Sequence, residues 1–129
     1  MTSTDSPSGQ AQDPADLDLK RLDATIALLI PRGGLDGEHL ERVLRRSIET
    51  LVAEGVTGIV LDLRSFSMLD SSGLGALVAN HGNIEDMSGV RFVLTGVGPI
   101  LHRTLSRTML LQVLPVYETV ERAFAALRS

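Results

Sequence analysis

Apolar and polar positions along the chain follow a period of two in some segments and a helical period in others. Leu17–Lys20 alternates apolar and polar residues, which is typical of a half-buried strand. Ala24–Ile30 is nearly continuous apolar, which is typical of a strand covered on both faces. The short gap around Asp23 predicts that the two strands form a hairpin, and Pro31–Gly34 then interrupts the pattern.

The next segment has the clearest helical pattern of the chain. Its apolar residues recur at spacings of three and four: Leu40, Val43, Leu44, Ile48, Leu51 and Val52. Asp36 is the predicted N-cap of this helix, and Gly55 is the predicted stop. The outer face carries Arg42, Arg45 and Arg46. Neighbouring glutamates dilute their charge, so the pattern favours a solvated helix face over a nucleic-acid patch.

The remaining sequence alternates predicted strands with predicted helices. Ile59–Leu63 and Val90–Leu94 are typical of buried strands, and Val113–Val116 predicts a short strand that its proline places at a sheet edge. Helices are expected from about Ser72 and from Pro99. The first of these two is expected to have an inner face made of Leu74, Leu77 and Val78. A final helix has this apolar stripe: Val120, Ala123, Phe124 and Leu127.

The order of these elements is strand, strand, helix and then three strand–helix pairs. Strands that alternate with helices imply right-handed crossovers and parallel pairing, while the opening hairpin adds one antiparallel pairing. The sequence therefore predicts an α/β fold with a mixed, largely parallel sheet of five strands and about four helices. Residues 16–129 are expected to form this domain. Residues 1–15, which have almost nothing to bury, are expected to be a disordered tail.

Composition and charge exclude several classes of function. The 129 residues carry a net charge of −4 and only 3% aromatic residues, which disfavours both phosphate-backbone binding and base stacking. Cysteine is absent, and His39, His81 and His102 lack metal-ligand spacing, so no metal or cofactor is expected. Gly96–Gly98 is interpreted as a turn and not as a phosphate cradle. No apolar run reaches the length of a membrane span and no signal-peptide pattern is present, so we expect a cytoplasmic protein.

The most informative stretch lies between a predicted strand and a predicted helix. It reads Asp70-Ser71-Ser72-Gly73-Leu74-Gly75. Aspartate and serine are preferred N-caps, so the stretch can simply begin a helix. A serine in the first turn can also accept a phosphate, because unpaired amides and the helix dipole favour negative charge there. A nucleophile elbow is disfavoured, because Leu69 replaces the first glycine of Gly-X-Ser-X-Gly and nothing in the sequence places His102 and Asp86 beside Ser71.

This motif, preceded by the strand Ile59–Leu63, resembles the signature of STAS-domain anti-sigma factor antagonists. Gly33-Gly34-Leu35-Asp36 is similar to a Gly-Glu-Leu-Asp segment that these proteins often carry, with Gly34 where glutamate is common. The order of elements also matches, and the resemblance covers about residues 16–128. Many relatives have a Gly-Leu pair near the end of the third helix, where this chain has Arg107–Leu110, and this departure bears on the identity of the partner.

The resemblance implies a regulatory binding module and not an enzyme. In the family, the serine directly after the motif aspartate is the phosphoacceptor, which is Ser71 here. The modifying enzyme is an anti-sigma factor that is also an ATP-using serine kinase. The unphosphorylated antagonist binds this anti-sigma factor and frees a sigma factor, phosphorylation blocks the binding, and a phosphatase restores it. The resemblance assigns partner contacts to Asp36, Asp70, Ser71, Ser72, Gly73 and Leu74.

The same resemblance leaves two other roles open. STAS domains also build stressosome assemblies, and in that case the chain would pair with copies of itself. They also occur as accessory subunits of lipid or anion transport systems, and in that case the chain would accompany a membrane complex.

Overall fold

The computed structural model describes residues 16–87 and 89–129, so the predicted tail at residues 1–15 lies outside the described residues. The elements in chain order are β1 (Leu17–Arg21), β2 (Ile26–Pro31), α1 (Gly37–Ala53), β3 (Gly58–Asp62), α2 (Ser71–Glu85), β4 (Arg91–Thr95), α3 (Pro99–Arg107), a 3₁₀ turn (Leu110–Gln112) and α4 (Val120–Arg128). The strands form one sheet in the order β1-β2-β3-β4. β1 is antiparallel to β2, and the other neighbours are parallel. The α/β fold and its opening hairpin are therefore confirmed.

The hairpin between β1 and β2 is held by the aspartate that the sequence placed in its turn. Asp23 Oδ1 accepts hydrogen bonds from the backbone N–H groups of Thr25 and Ile26, both at 2.8 Å. The backbone N–H of Leu22 donates to the carbonyl of Ile26 at 2.8 Å and closes the turn. Because aspartate readily bonds to backbone amides that follow it, this short connection needs no glycine.

Helices cover both faces of the sheet, and the core is mainly aliphatic. On one face α1, α2 and α3 contribute these fully buried leucines: Leu40, Leu44, Leu51, Leu77, Leu101 and Leu105. On the other face Ala123 of α4 packs with residues of the strands: Ile26, Leu28, Val60 and Val93. Alternate residues of β2, β3 and β4 thus face opposite layers, which explains why these strands are apolar throughout.

The prediction of a fifth strand at Val113–Val116 is wrong. A single parallel bridge joins Val116 to Leu94 of β4, through Leu94 N–H to the carbonyl of Pro115 at 2.8 Å and Tyr117 N–H to the carbonyl of Leu94 at 2.9 Å. The preceding residues turn instead, since the Leu114 N–H donates to the carbonyl of Leu110. Pro115 has no N–H to extend a ladder. The sheet of the described chain therefore has four strands and not five.

The predicted inner face of α2 is also partly wrong. Leu77 is fully buried and Leu74 is half-buried, but Val78 is 49% exposed. The buried stripe includes Asn80, whose amide donates to the carbonyl of Ala76 in α2 at 2.9 Å and to that of Glu41 in α1 at 3.3 Å. Hydrophobic periodicity does not detect a buried asparagine, because such a residue is stabilised by hydrogen bonds and not by its apolar surface.

The two ends of the described chain lie at opposite edges of the sheet. The Asp16 carboxylate lies 3.3 Å from His39 Nε2 in the first turn of α1, which follows the carboxyl end of β2. Leu127 of α4 instead packs beside Gly58, the first residue of β3. The parallel strands therefore run from the edge where α4 ends to the edge where α1 and α2 begin.

Candidate functional site

The start of α2 is organised by the carboxylate of Asp70. This residue is the N-cap of the helix, and its Oδ1 accepts hydrogen bonds from the Gly73 N–H at 2.9 Å and from the Ser72 hydroxyl at 3.0 Å. The Gly73 hydrogen bond, aided by that of Ser72, holds the pKa of Asp70 below its usual value. The predicted N-cap role of the motif is confirmed, and Asp70 keeps its negative charge at neutral pH.

The two motif serines have different environments. Ser71 is the first residue of α2 and is exposed, and within residues 16–87 and 89–129 its hydroxyl forms no hydrogen bond. The Ser72 hydroxyl is held by Asp70, and the Ser72 backbone packs so closely on Gly37 that a Cβ at position 37 would overlap it. Ser71 therefore presents the accessible hydroxyl of the pair, while Ser72 joins the starts of α1 and α2.

The start of α1 lies beside the start of α2 and adds a second carboxylate. Asp36 is the exposed N-cap of α1, and its Oδ1 accepts a hydrogen bond from the His39 N–H at 2.8 Å. A pocket of about 390 Å³ between the two helix starts is lined by Gly34, Leu35, Asp36, Gly37, Phe66, Met68, Leu69, Asp70 and Gly73. The structure therefore brings Asp36 and Asp70 to one surface next to Ser71, although they are far apart in sequence.

The predicted contact residues differ in solvent exposure, and so in how accessible they are to a partner. Asp36, Asp70, Ser71 and Ser72 are exposed. Gly73 is buried, and a Cβ at this position would meet the Leu69 side chain at 2.9 Å. Leu74 is half-buried and packs against the core. In the structure Gly73 shapes the first turn of α2, and the polar residues form its outer surface.

Asp62 and Arg64, which the sequence reasoning missed, anchor the loop between β3 and α2. The Asp62 side chain is almost fully buried. It accepts hydrogen bonds from the Arg64 N–H at 2.9 Å, from Nε at 3.0 Å and from Nη2 at 2.6 Å, and these contacts raise the pKa of Arg64. Gly96 has a φ of 69°, and a Cβ there would overlap the Asp62 carboxylate. The signal was a charged residue inside a buried strand, which requires a partner.

A larger cavity lies at the start of α3. It has a volume of about 780 Å³ and is lined by Arg64, Ser65, Phe66, Ser67, Gly96, Val97, Gly98, His102, Val116, Tyr117 and Glu118. Gly98 is the N-cap of α3 and makes no side-chain capping bond, and Pro99 takes the first helical position as predicted. The cavity contains His102 but not Ser71.

The arrangement needed for a nucleophilic serine is not assembled. Asp86 is the C-cap of α2, so the whole 15-residue helix, about 22 Å at 1.5 Å per residue, separates it from Ser71. His102 lines the cavity at α3. Ser71, His102 and Asp86 therefore do not form a catalytic triad. Residues 16–87 and 89–129 also contain no group of three potential metal-ligating side chains.

Comparisons with known proteins agree with this architecture. Residues 19–123 match the model of the STAS domain family. An anti-sigma F factor antagonist of Paenibacillus polymyxa is 28% identical over 95 residues, which are 74% of this chain and 80% of that protein. The structure of a candidate anti-sigma factor antagonist of Thermotoga maritima has a TM-score of 0.76 and 26% identity, covering 88% of this chain and 95% of that one. The phosphorylated form of the Bacillus protein SpoIIAA has the same fold, with a TM-score of 0.65 at 21% identity over 87% of this chain and 99% of that one.

The chain belongs to the STAS domain family, because the family match spans most of its length. In the described part of the chain, the helices are too short or too polar to cross a membrane. The resemblance noted in the sequence is thus confirmed for the family and the fold.

Proposed function

We propose that this protein is a cytoplasmic anti-sigma factor antagonist whose binding to an anti-sigma factor is switched off by phosphorylation of Ser71. The observation that carries the proposal is the exposed Ser71 hydroxyl, free of hydrogen bonds to described residues, in the first turn of α2 beside Asp70. The name of the Paenibacillus relative supports the class of partner. In the unphosphorylated state the surface around Ser71 binds the anti-sigma factor, and a sigma factor is released.

The chain contributes an acceptor hydroxyl to the phosphorylation reaction and leaves the remaining chemistry to the kinase. The Ser71 oxygen attacks the γ-phosphorus of ATP, ADP leaves, and the serine proton passes to a base of the kinase. Asp70 is a weak base for this step, because its pKa is lowered by the hydrogen bonds from Gly73 and Ser72. The motif carboxylate therefore positions the helix start and does not take the proton.

The phosphate acts on the partner through charge. It adds about −1.5 to −2 charge at neutral pH, next to the carboxylates of Asp70 and Asp36. A partner surface shaped around a neutral hydroxyl would have to accept this charge in the interface. A penalty of about 3 kcal/mol weakens binding roughly a hundredfold. The first-turn amides can receive the phosphate without rearranging the helix, so the switch needs no change of fold.

A labelling experiment tests the acceptor. The chain is incubated with ATP and a serine-kinase anti-sigma factor from the same cell, and the phosphate is located by mass spectrometry. We expect labelling at Ser71 that disappears in Ser71→Ala. Ser72→Ala is the matched control, because it removes the neighbouring hydroxyl and should keep the label. Persistent labelling of Ser71→Ala would assign the acceptor to another residue.

A binding experiment tests the electrostatic mechanism. The affinity of the same anti-sigma factor is measured for the unmodified chain and for Ser71→Glu and Ser71→Gln, which differ mainly in charge. We expect Ser71→Glu to bind at least about tenfold more weakly than Ser71→Gln. Equal affinities would refute a charge-based switch. Restoration of binding by a serine phosphatase, after kinase treatment of the wild type, would complete the cycle.

A further inference from the structure

Arg103 and Arg107 are exposed on α3 and lie four residues apart. Neither forms an ion pair with a described residue. Like charges at this spacing repel each other and weaken a helix slightly. Two arginines of α1, Arg42 and Arg45, are instead paired with glutamates one turn earlier in that helix. Acidic residues are absent from positions 87–117, so α3 carries a local positive charge in a chain whose net charge is −4.

Exposed apolar side chains flank these two arginines. Ile100 is 56% exposed and precedes Arg103 on the solvent side of α3, and Met109 is 60% exposed just beyond the end of the helix. We define the basic patch as these four residues: Ile100, Arg103, Arg107 and Met109. A surface that combines unpaired guanidinium groups with exposed apolar side chains is suited to a partner of opposite charge and similar hydrophobicity.

The surface around Ser71 has the complementary composition. Asp36 and Asp70 are exposed carboxylates, Met68 lines the same pocket and is 62% exposed, and Val78 is 49% exposed two turns along α2. We define the acidic patch as these four residues: Asp36, Met68, Asp70 and Val78. Four of the five exposed large hydrophobic residues of the described chain therefore belong to one patch or the other.

We propose that the acidic patch of one copy docks on the basic patch of a second copy, and that phosphorylation of Ser71 strengthens this contact. The proposal rests on the proposed function in one respect, which is that Ser71 carries the phosphate. A phosphate adds three strong acceptor oxygens, and arginine binds phosphate oxygens in a bidentate manner. The same modification that repels the anti-sigma factor thus favours self-association.

The arrangement of the helices permits a reciprocal contact. α2 and α3 begin at the same edge of the sheet and bury their leucines in one core cluster, so both helices lie on the same face of the sheet. When the acidic patch of each copy meets the basic patch of the other, the contact is two-fold and closes as a dimer. The dimer covers the surface that docks the anti-sigma factor, so the phosphorylated chain is held in a form that cannot bind it.

Sedimentation equilibrium on the full chain tests the proposal. Phosphoserine is installed at position 71 during synthesis, so no kinase is required. The result therefore does not depend on which kinase phosphorylates the chain. We expect the phosphorylated chain to dimerise at least about tenfold more tightly than the unmodified chain at about 50 mM salt, with the difference reduced at about 500 mM. A phosphorylated chain that stays monomeric up to about 1 mM overturns the proposal and leaves the proposed function intact.

Charge reversals locate the contact. Arg103→Glu combined with Arg107→Glu should abolish the phosphate-dependent dimer. Arg46→Glu is the matched control, because Arg46 is exposed on α1 and has no ion pair to a described residue. Dimerisation that survives the double reversal, or that Arg46→Glu weakens equally, overturns the proposal. If the double reversal instead weakens anti-sigma factor binding and leaves dimerisation unchanged, α3 belongs to that interface and the proposal is wrong.

Discussion

The starts of α2 and α3 occupy equivalent places in the fold but have opposite chemistry. Each helix follows a parallel strand at the same edge of the sheet. α2 begins after Asp70, whose carboxylate accepts the hydrogen bonds of the first turn. α3 begins after Gly98, which offers no side-chain cap, and its exposed face carries Arg103 and Arg107. The topology fixes where each helix begins, and a few side chains decide the charge at the start of α2 and along the exposed face of α3.

The two helix starts also differ in the shape of their surroundings. At α2 the Asp70 carboxylate caps the Gly73 N–H, and the Ser71 hydroxyl is exposed. At α3 the N-cap Gly98 lines a cavity of about 780 Å³ whose wall includes Arg64, and that residue is already paired with Asp62. Similar backbone geometry thus gives a polar outer surface at the start of α2 and a cavity at the start of α3.

The largest effect is expected where α1 touches the start of α2. Gly37→Ala places a Cβ against the backbone of Ser72, which cannot move without separating the two helices. We expect a loss of roughly 2–3 kcal/mol in the free energy of unfolding, measured by urea titration. Gly75→Ala is the control on the open side of α2, where a Cβ meets no atom within 4 Å, and it should gain up to about 1 kcal/mol. Equal midpoints for the two variants would contradict the described contact.

The second prediction exchanges the capping of the two helix starts. Asp70→Ala removes the acceptor for the Gly73 N–H and should cost about 1 kcal/mol of stability. Gly98→Asp supplies a carboxylate to α3 at a position with extended backbone and open space, and should gain about 0.3 kcal/mol. Both values come from urea unfolding near neutral pH. A destabilising Gly98→Asp would show that the cavity at α3 does not tolerate a negative charge.

The smallest effect concerns the pH dependence of α2 alone. The hydrogen bonds of Gly73 and Ser72 lower the pKa of Asp70 in the folded state below its ordinary value of 3.8. The unfolded chain therefore binds this proton first, so the stabilisation by Asp70 is complete above about pH 3.8. It is lost as the pH falls through the lower pKa of the folded state.

Asp70→Asn is the variant that isolates this titration, because asparagine keeps the capping oxygen and does not ionise. The difference in urea midpoint between wild type and variant should be constant above about pH 5 and shrink towards about pH 2. A difference that stays constant over the whole range would mean that the Asp70 charge does not support the helix start. α3 has no ionisable cap, so no comparable change is expected from Gly98.

The parts of the fold that were predictable are those with local signals. Asp23 in a short turn, the period of α1 and the capping residues Asp36 and Asp70 all act on amides a few positions away. The errors involve partners distant in sequence. Val78 was expected inside because the buried Asn80, which bonds across to α1, was not recognised.

The candidate site was predictable in its residues but not in its geometry. The motif and its resemblance pointed to Ser71, and the N-cap rule explained Asp70. That the Ser71 hydroxyl is exposed, and that Ser72 is held against Gly37, depends on how α1 packs on α2. The site assignment itself stays a prediction until the phosphate is located. Arg103 and Arg107 were not singled out, because the meaning of two unpaired cations appears only when the ion pairs elsewhere are seen.

The placement of the two ends of the described chain has a practical consequence for binding measurements. Asp16 is fixed beside His39 in the first turn of α1, at the edge that carries Ser71. Leu127 is fixed beside Gly58 at the far edge. Immobilisation through Ser129 therefore leaves the surface around Ser71 facing the solution, and sensor chips or fusion partners are best attached there.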